Sequence, residues 1–285
     1  MDWMDGKGTE IIDDLWYWYL TGEKRDTFPA EYERVFESYR RVYKLFPGDP
    51  RCFECDIPLG GLASLVLRPW GSRPSSFSPR FCSHCEGFAR SREAGAEVEM
   101  SLLFADVRDS TGLAEKIGTF KFKELIKRFY KASSEVLIEH NAMVNRLMGD
   151  QVIALFVPRF AGHEHAKVAI QAAQDLLRAT GHNDTDGPWI SVGIGVHTGK
   201  AFVGVVGSSE GVNEIAVLGS AANLAARLSS QAAAGEVLIS SEAVQSAGFD
   251  SDGLESRTLS LKGISTPVTA SVLPARKNKQ LNYIS

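Results

Sequence analysis

Hydrophobic positions divide the chain into a helical beginning, an irregular middle and a long region where strand and helix patterns alternate. In the helical beginning, residues 1–48, apolar side chains recur at spacings of three and four residues, which predicts one face of a helix. These positions are Tyr32, Val35, Phe36, Tyr39, Val42, Tyr43 and Phe46. An earlier aromatic cluster, from Trp16 to Tyr19, favours packing in a core or a dimer contact. A Pro-Gly-Asp-Pro turn at 47–50 then ends the segment.

The long region begins with a strand pattern at 99–107 and continues with a helix whose apolar side includes Phe122, Ile126 and Phe129. Two short apolar runs flank Gly149 and Asp150 and predict a hairpin. The other predicted elements are a helix at 166–179, strands near 189–197, 201–207 and 213–218, and a helix for which Ser220 is a suitable N-cap. This order of strands and helices is that of a ferredoxin-like α+β unit, an antiparallel sheet with flanking helices.

Composition narrows the classes of protein that the chain can represent. Its 285 residues accommodate one full-sized catalytic domain and a smaller module. A net charge of −4 argues against a nucleic-acid partner, because a DNA-binding face needs an excess of basic residues. The most apolar stretch, 189–206, is interrupted by His197, Lys200 and several glycines, so we expect no membrane span. The beginning, MDWMDGKGTE, lacks the apolar core of a secretory signal, and we expect a cytoplasmic protein.

Two aspartates occupy positions that suit metal-ion chemistry. Asp106 ends the first strand pattern, and Asp150 lies at the tip of the predicted hairpin. Carboxylate oxygens at such neighbouring ends are the hard ligands that Mg²⁺ or Mn²⁺ prefers. Either aspartate alone is more simply explained as a turn residue. The metal-site hypothesis therefore depends on the other motifs that accompany the pair.

Five segments carry a family resemblance. They are FADVRDST, LMGDQVIALF, VGIGVHTGKAFVGVVG, VLGSAANLAARLSS and LKGISTPV. In this order and spacing, over residues 97–275, they resemble the successive motifs of class III adenylate and guanylate cyclases. The resemblance implies a cyclase catalytic domain at 93–275, followed by a short tail at 276–285. It also implies a signalling lyase that converts a nucleoside triphosphate to a 3′,5′-cyclic nucleotide and pyrophosphate.

The same resemblance implies a role for each matching residue. Asp106 and Asp150 would hold two Mg²⁺ or Mn²⁺ ions. Asn223 would orient the ribose, Arg227 would neutralise charge on the α-phosphoryl oxygens, and Lys262 would bind the β- and γ-phosphates. The loop after Asp106 would offer backbone N–H groups to the phosphates. Its residues are Val107, Asp109, Ser110, Thr111 and Gly112.

In this family the metal-binding aspartates come from one subunit and the Asn/Arg pair from the other. One chain carries both sets here, which implies a homodimer with two shared active sites. A rival interpretation is a non-catalytic nucleotide-binding or interaction module that kept the fold. The complete residue set argues against that rival. A third hypothesis is a zinc-dependent nucleic-acid-binding protein, and the net negative charge argues against it.

The two base-reading positions depart from the family pattern. In typical adenylate cyclases a Lys lies four residues before the hairpin Asp, and an Asp or Thr lies three residues before the signature glycine. Here these positions are Arg146 and Ala216, and neither can accept a hydrogen bond from adenine or guanine. An acceptor would have to come from a neighbour such as Glu214. We favour ATP on family frequency, with UTP or CTP as the alternative because an Arg fork also suits base carbonyls.

Four cysteines define a small module at 49–92. Cys52, Cys55, Cys82 and Cys85 have the spacing C-x₂-C-x₂₆-C-x₂-C. Two such pairs suit a tetrahedral Zn²⁺ site, and a disulfide framework is not expected among reduced cytosolic thiols. An iron–sulfur cluster uses the same four thiolates and ranks second. His84, inside the second pair, is expected to face solvent.

Overall fold

A computed structural model describes residues 8–24, 26, 28, 30–75, 78–90, 94–207, 214–264 and 266–275. The chain forms two compact units, Met1–Val98 with Phe202–Val217, and Glu99–Ala201 with Leu218–Ser285. The predicted domain limits at 48, 92 and 275 stay predictions, and the tail at 276–285 lies outside the described residues. No helix within these ranges is long and apolar enough to cross a membrane.

The first unit contains two long helices and the cysteine module. Its helices are α1 (Gly8–Thr21), α2 (Ala30–Tyr43), α3 (Gly61–Val66) and α4 (Ser83–Arg90), with a 3₁₀ turn at Arg68–Trp70. The aromatic cluster of α1 packs as predicted, since Trp16 and Tyr19 are buried. The apolar face predicted for α2 is present, but only part of it is buried. Phe36 is buried, whereas Val35, Tyr39 and Val42 are 48%, 40% and 53% exposed, because the seven positions cover a wider arc than one packing face.

The remaining elements form a mixed sheet with flanking helices. The strands are β1 (Gly95–Val107), β2 (Met143–Met148), β3 (Gln151–Phe156), β4 (Val192–Val206), β5 (Glu214–Leu218), β6 (Glu236–Ser240), β7 (Glu255–Leu259) and β8 (Val268–Pro274). The helices are α5 (Ser110–Ile117), α6 (Thr119–Glu139), α7 (Pro158–Ala161), α8 (His165–Ala179), α9 (Ser220–Gln231) and α10 (Ser241–Ala247). The strand order is β2-β3-β1-β4-β6-β8-β7, and β5 pairs with β4.

This architecture confirms the α+β class, with two local corrections. The predicted strands near 189–197 and 201–207 are one continuous strand, β4, because Gly199 and Lys200 keep an extended backbone instead of turning. Gly219, not Ser220, is the N-cap of α9. The sheet is also not purely antiparallel, since β4 and β6 run parallel.

The core of the second unit lies between the sheet and helices α6, α8 and α10. Its fully buried side chains include Leu103, Phe129, Phe156, Ile170, Leu176 and Leu177. Two histidines without an assigned role are buried here beside hydroxyl groups. His165 Nδ1 lies 2.9 Å from Ser101 Oγ, and His197 Nδ1 lies 2.8 Å from Ser240 Oγ.

A glycine of β4 decides how closely α9 approaches the sheet. A Cβ built on Gly195 would lie 2.3 Å from the backbone nitrogen of Ser229 and 2.5 Å from the carbonyl oxygen of Ala225. Only glycine permits this backbone-to-backbone contact. The contact fixes which side of α9 is buried and which side is presented to solvent.

Candidate active site

The two candidate metal-binding aspartates lie side by side. Strands β1 and β3 pair antiparallel with Asp106 opposite Gln151, so the preceding residue, Asp150, lies at the same end of the sheet. The backbone N–H of Val107 donates to the carbonyl oxygen of Asp150 at 3.0 Å. Burial raises the pKa of the Asp106 carboxyl, the Arg108 guanidinium opposes this rise, and the nearby Asp150 carboxylate adds to it. The pairing predicted from sequence is therefore present in the fold.

Arg108, which the sequence interpretation left without a role, is held beside Asp106. Its guanidinium forms an ion pair with the Asp106 carboxylate, and Nε donates to the Asp106 carbonyl oxygen at 3.2 Å. Nη1 donates to the carbonyl oxygens of Ser230 and Ala232, each at 3.2 Å, at the end of α9. Arg108 thus joins the first aspartate to the helix that carries Asn223 and Arg227. The sequence gives one indication that Arg108 belongs to the site, which is its position two residues after Asp106.

The loop after Asp106 contains a strained turn. Asp109 has a left-handed backbone, with φ of 51°, and its carboxylate folds towards Gly112. A Cβ on Gly112 would lie 2.7 Å from one oxygen of that carboxylate, so a larger residue would collide with it. The amide of Val107 already donates to Asp150. The amides open to a phosphate are therefore those from Asp109 to Gly112, where a helix leaves its first N–H groups without intrahelical acceptors.

A cavity of about 710 Å³ adjoins the hairpin tip. Residues of α5, α6 and the tip line it, among them Ser110, Thr111, Lys123, Lys127, Tyr130 and Asp150. The Ser110 hydroxyl donates to the Asp150 carboxylate, and the Tyr130 hydroxyl donates to the carbonyl oxygen of Gly149 at 2.6 Å. Sequence reasoning missed both contacts, because each joins a helix to the hairpin over a long sequence separation. Together they fix the tip that presents Asp150.

Asn223 and Arg227 lie on the exposed side of α9. Ala222, Ala225 and Leu228 form the buried side of the same helix. Within the part of the chain that the structure describes, neither polar side chain has a protein partner. The two are not among the residues that line the cavity beside Asp150. The four-residue spacing therefore places both groups on the same exposed side of α9, and neither lines the cavity of their own chain.

The other candidate residues occupy separate elements. Lys262 is exposed in a turn that Gly263 closes with φ of 81°. Arg146 lies in β2, opposite Ile153 in β3, and its side chain is outside the described set. Ala216 lies in β5 and is partly buried.

The four cysteines meet as predicted in the first unit. All four sulfur atoms lie within 4.8 Å of one another, and all four side chains are buried. The Sγ atoms of Cys52 and Cys85 are 3.9 Å apart, and those of Cys55 and Cys82 are 3.7 Å apart. This cluster is able to hold a metal ion. His84 is exposed, as expected.

Known proteins resemble the second part of the chain. The family model for the adenylate and guanylate cyclase catalytic domain matches residues 93–271. Among curated relatives, the adenylate cyclase of Anabaena cylindrica is 28% identical over 139 residues, which are 47% of this chain and 28% of that protein. The first four curated relatives are each matched over less than a third of their own length.

Two solved structures share the fold. The guanylyl cyclase Cya2 aligns with a TM-score of 0.58 and 24% identity, covering 67% of this chain and 99% of that one. The adenylyl cyclase CyaB from P. aeruginosa aligns with a TM-score of 0.55 and 23% identity, covering 65% of this chain and 99% of that one.

Proposed function

The chain belongs to the adenylate and guanylate cyclase catalytic domain family, and we propose that it converts a nucleoside triphosphate, ATP by preference, to a 3′,5′-cyclic nucleotide and pyrophosphate. The observation that carries this proposal is the pair of adjacent carboxylates at Asp106 and Asp150. In the reaction the ribose 3′-hydroxyl loses its proton to water, its oxygen bonds to the α-phosphorus, and the bond from that phosphorus to the departing pyrophosphate breaks.

The carboxylate pair fits the divalent ions that the family uses. Both groups offer hard oxygen donors, and the Asp106 side chain is 22% exposed, so it is open to solvent on one side. Asp106 and Asp150 would hold two Mg²⁺ or Mn²⁺ ions, which lower the pKa of the 3′-hydroxyl and neutralise the triphosphate when bound. Ser110 keeps the Asp150 carboxylate in place through its hydrogen bond, and Arg108 does the same for Asp106.

A second subunit completes the site in this proposal. Asn223 would orient the ribose, Arg227 would donate to the α-phosphoryl oxygens, and Lys262 would bind the outer phosphates. All three are exposed, and Asn223 and Arg227 do not line the cavity beside Asp150 in their own chain. Such residues reach a carboxylate pair when two chains associate about a twofold axis. The active protein is therefore a homodimer with two shared sites.

Two residues, Ala216 and Arg146, stand at the positions that read the base in the family. Ala216 offers no hydrogen-bonding side chain, and Arg146 offers donors only. This combination favours uracil or cytosine carbonyls as an alternative to adenine. A pyrimidine cyclase with the same mechanism is therefore our second candidate.

In the first unit, the four cysteines would hold structural zinc.

A direct test offers ATP, GTP, CTP and UTP separately to the full chain with Mn²⁺ and identifies the products by mass spectrometry. We expect one preferred 3′,5′-cyclic nucleotide and an equal amount of pyrophosphate. Cyclic UMP or cyclic CMP as the main product would replace the ATP preference with the second candidate. Absence of any cyclic product from a dimeric preparation would favour a non-catalytic nucleotide-binding module instead.

A further inference from the structure

The four-cysteine cluster has the dimensions of a site for a single ion. A zinc ion bonded to four thiolates at about 2.3 Å places neighbouring sulfurs about 3.8 Å apart in a tetrahedron. The two measured sulfur pairs, at 3.9 and 3.7 Å, match that edge. Since all four sulfurs lie within 4.8 Å of one another, there is room for one ion between them. A cluster of several irons would spread its ligands further apart.

Backbone groups around the sulfurs support thiolate charge. The backbone N–H of Cys82 donates to Sγ of Cys52, and that of Cys85 donates to Sγ of Cys82, both at 3.3 Å. Such outer contacts orient metal ligands and stabilise their deprotonated form. The arrangement is that of a preformed site, not of four unrelated buried thiols.

Glu54 attaches this site to the two long helices. It lies between Cys52 and Cys55, and its side chain is 1% exposed. Trp18 of α1 donates from Nε1 to the Glu54 carboxylate at 2.7 Å. Arg40 of α2 donates from Nε to the Glu54 carbonyl oxygen at 2.7 Å, and its Nη2 lies 3.5 Å from the carboxylate. A buried carboxylate requires such partners, so the position of the first cysteine pair and the positions of both helices depend on one another.

The second cysteine pair is joined to the same helices by aromatic contacts. Phe81, next to Cys82, packs edge-to-face on Tyr19 of α1 with ring centroids 5.3 Å apart. The ring centroid of Phe88 in α4 lies 5.8 Å from that of Tyr32 and 6.5 Å from that of Phe36, both on α2. Residues next to each cysteine pair thus contact both α1 and α2. An ion that joins the two pairs would hold the helices as well.

We propose that Cys52, Cys55, Cys82 and Cys85 bind one zinc ion whose occupancy controls the folding of α1 and α2, with Glu54 as the residue that positions the helices on the site. Two helices and a small cysteine module bury little apolar surface of their own, and metal binding then supplies folding free energy. The inference concerns the first unit and does not depend on the proposed cyclase activity.

The test uses the full chain and two measurements that require no substrate. Elemental analysis should give one zinc per chain, and Co²⁺ exchanged into the site should show the strong visible absorption of tetrahedral thiolate coordination. Removal of zinc by a chelator should accelerate amide hydrogen exchange in α1 and α2 by ~10-fold or more, reversibly on zinc addition. Two or more irons per chain, with acid-labile sulfide, would overturn the single-zinc site.

Matched variants separate the positioning role from metal binding. Glu54→Gln should keep one zinc per chain while exchange in α1 and α2 accelerates. Glu37→Gln, which alters an exposed carboxylate of α2 paired with Arg41, should leave both readouts unchanged. Unchanged exchange in zinc-depleted protein and in Glu54→Gln would overturn the control of folding. Because the chelator experiment uses the natural sequence, it stays decisive even if Glu54→Gln fails to fold.

Discussion

The backbone N–H of Val107 donates to the carbonyl oxygen of Asp150 at 3.0 Å, and this bond joins the end of β1 to the tip of the β2–β3 hairpin. Asp106 precedes the donor by one residue, so the bond also sets the separation between the backbones of the two aspartates. The pair is therefore a consequence of strand register and hairpin length, not of side-chain flexibility. Ser110 and Arg108 then hold the two carboxylates individually.

Mixing two inactive variants should restore activity if the site is shared between subunits. Asp106→Asn removes the carboxylate of one half-site, and Arg227→Ala removes the phosphate donor of the other. An equimolar mixture that exchanges subunits forms heterodimers with one intact site, so activity should recover to roughly a quarter of the natural level. Cyclic nucleotide production at constant total protein measures the recovery.

Two outcomes would contradict the shared site. One is a mixture that stays as inactive as either variant although subunit exchange is demonstrated. The other is full activity in a protein that sedimentation shows to be monomeric.

Replacing Gly112 should disturb the phosphate-binding loop. In Gly112→Ala the new Cβ would lie 2.7 Å from the Asp109 carboxylate, which then has to rotate away from the place that it holds beside the loop. We expect KM for the triphosphate to rise about tenfold, equivalent to about 1.4 kcal/mol of lost binding. Steady-state kinetics measure the effect. Gly87→Ala is the control, because its Cβ meets nothing within 4 Å and the helical position gains about 0.5–1 kcal/mol. Equal kinetics for both variants would contradict the proposed loop.

Acidification should destabilise the second unit through its buried histidines. Burial lowers the pKa of His197, with Glu242 opposing, and lowers the pKa of His165, with Glu99 opposing and His163 adding to the fall. Between the folded-state and the unfolded-state pKa, these histidines are protonated in the unfolded chain and neutral in the folded protein. Stability from these groups is complete above the unfolded pKa of about 6.5 and falls as pH decreases below it.

Urea unfolding at pH 7.5 and pH 5.5 measures this dependence. The free energy of unfolding should be lower at pH 5.5, and the difference should shrink in His197→Gln. A difference that is the same in the variant and the natural protein would show that His197 does not contribute.

Local sequence patterns predicted the parts of the site that depend on short-range structure. The strand ending at Asp106, the hairpin tip at Asp150 and the shared side of Asn223 and Arg227 each follow from periodicity or turn chemistry. The cysteine spacing likewise predicted a cluster, which the fold confirms.

Those local patterns did not predict the long-range contacts of the site. Arg108 bonds to carbonyl groups more than a hundred residues away, and nothing in its neighbourhood indicates that partner. The exposed Val35 and Val42 show the same limit, because helix periodicity gives an apolar arc but not which part of it a neighbour covers. The sequence predicted two separate strands on either side of Gly199, whereas the structure has one continuous strand there.

The carboxylate pair can be tested most directly by removing one charge at a time. The measurement is the rate of cyclic nucleotide formation with Mn²⁺ for the natural chain, Asp106→Asn, Asp150→Asn and the control Asp186→Asn, which changes an exposed carboxylate remote in sequence from the pair. We predict a loss of about 100-fold or more for each of the first two variants and none for the control. Retention of activity in both Asp106→Asn and Asp150→Asn would contradict the account.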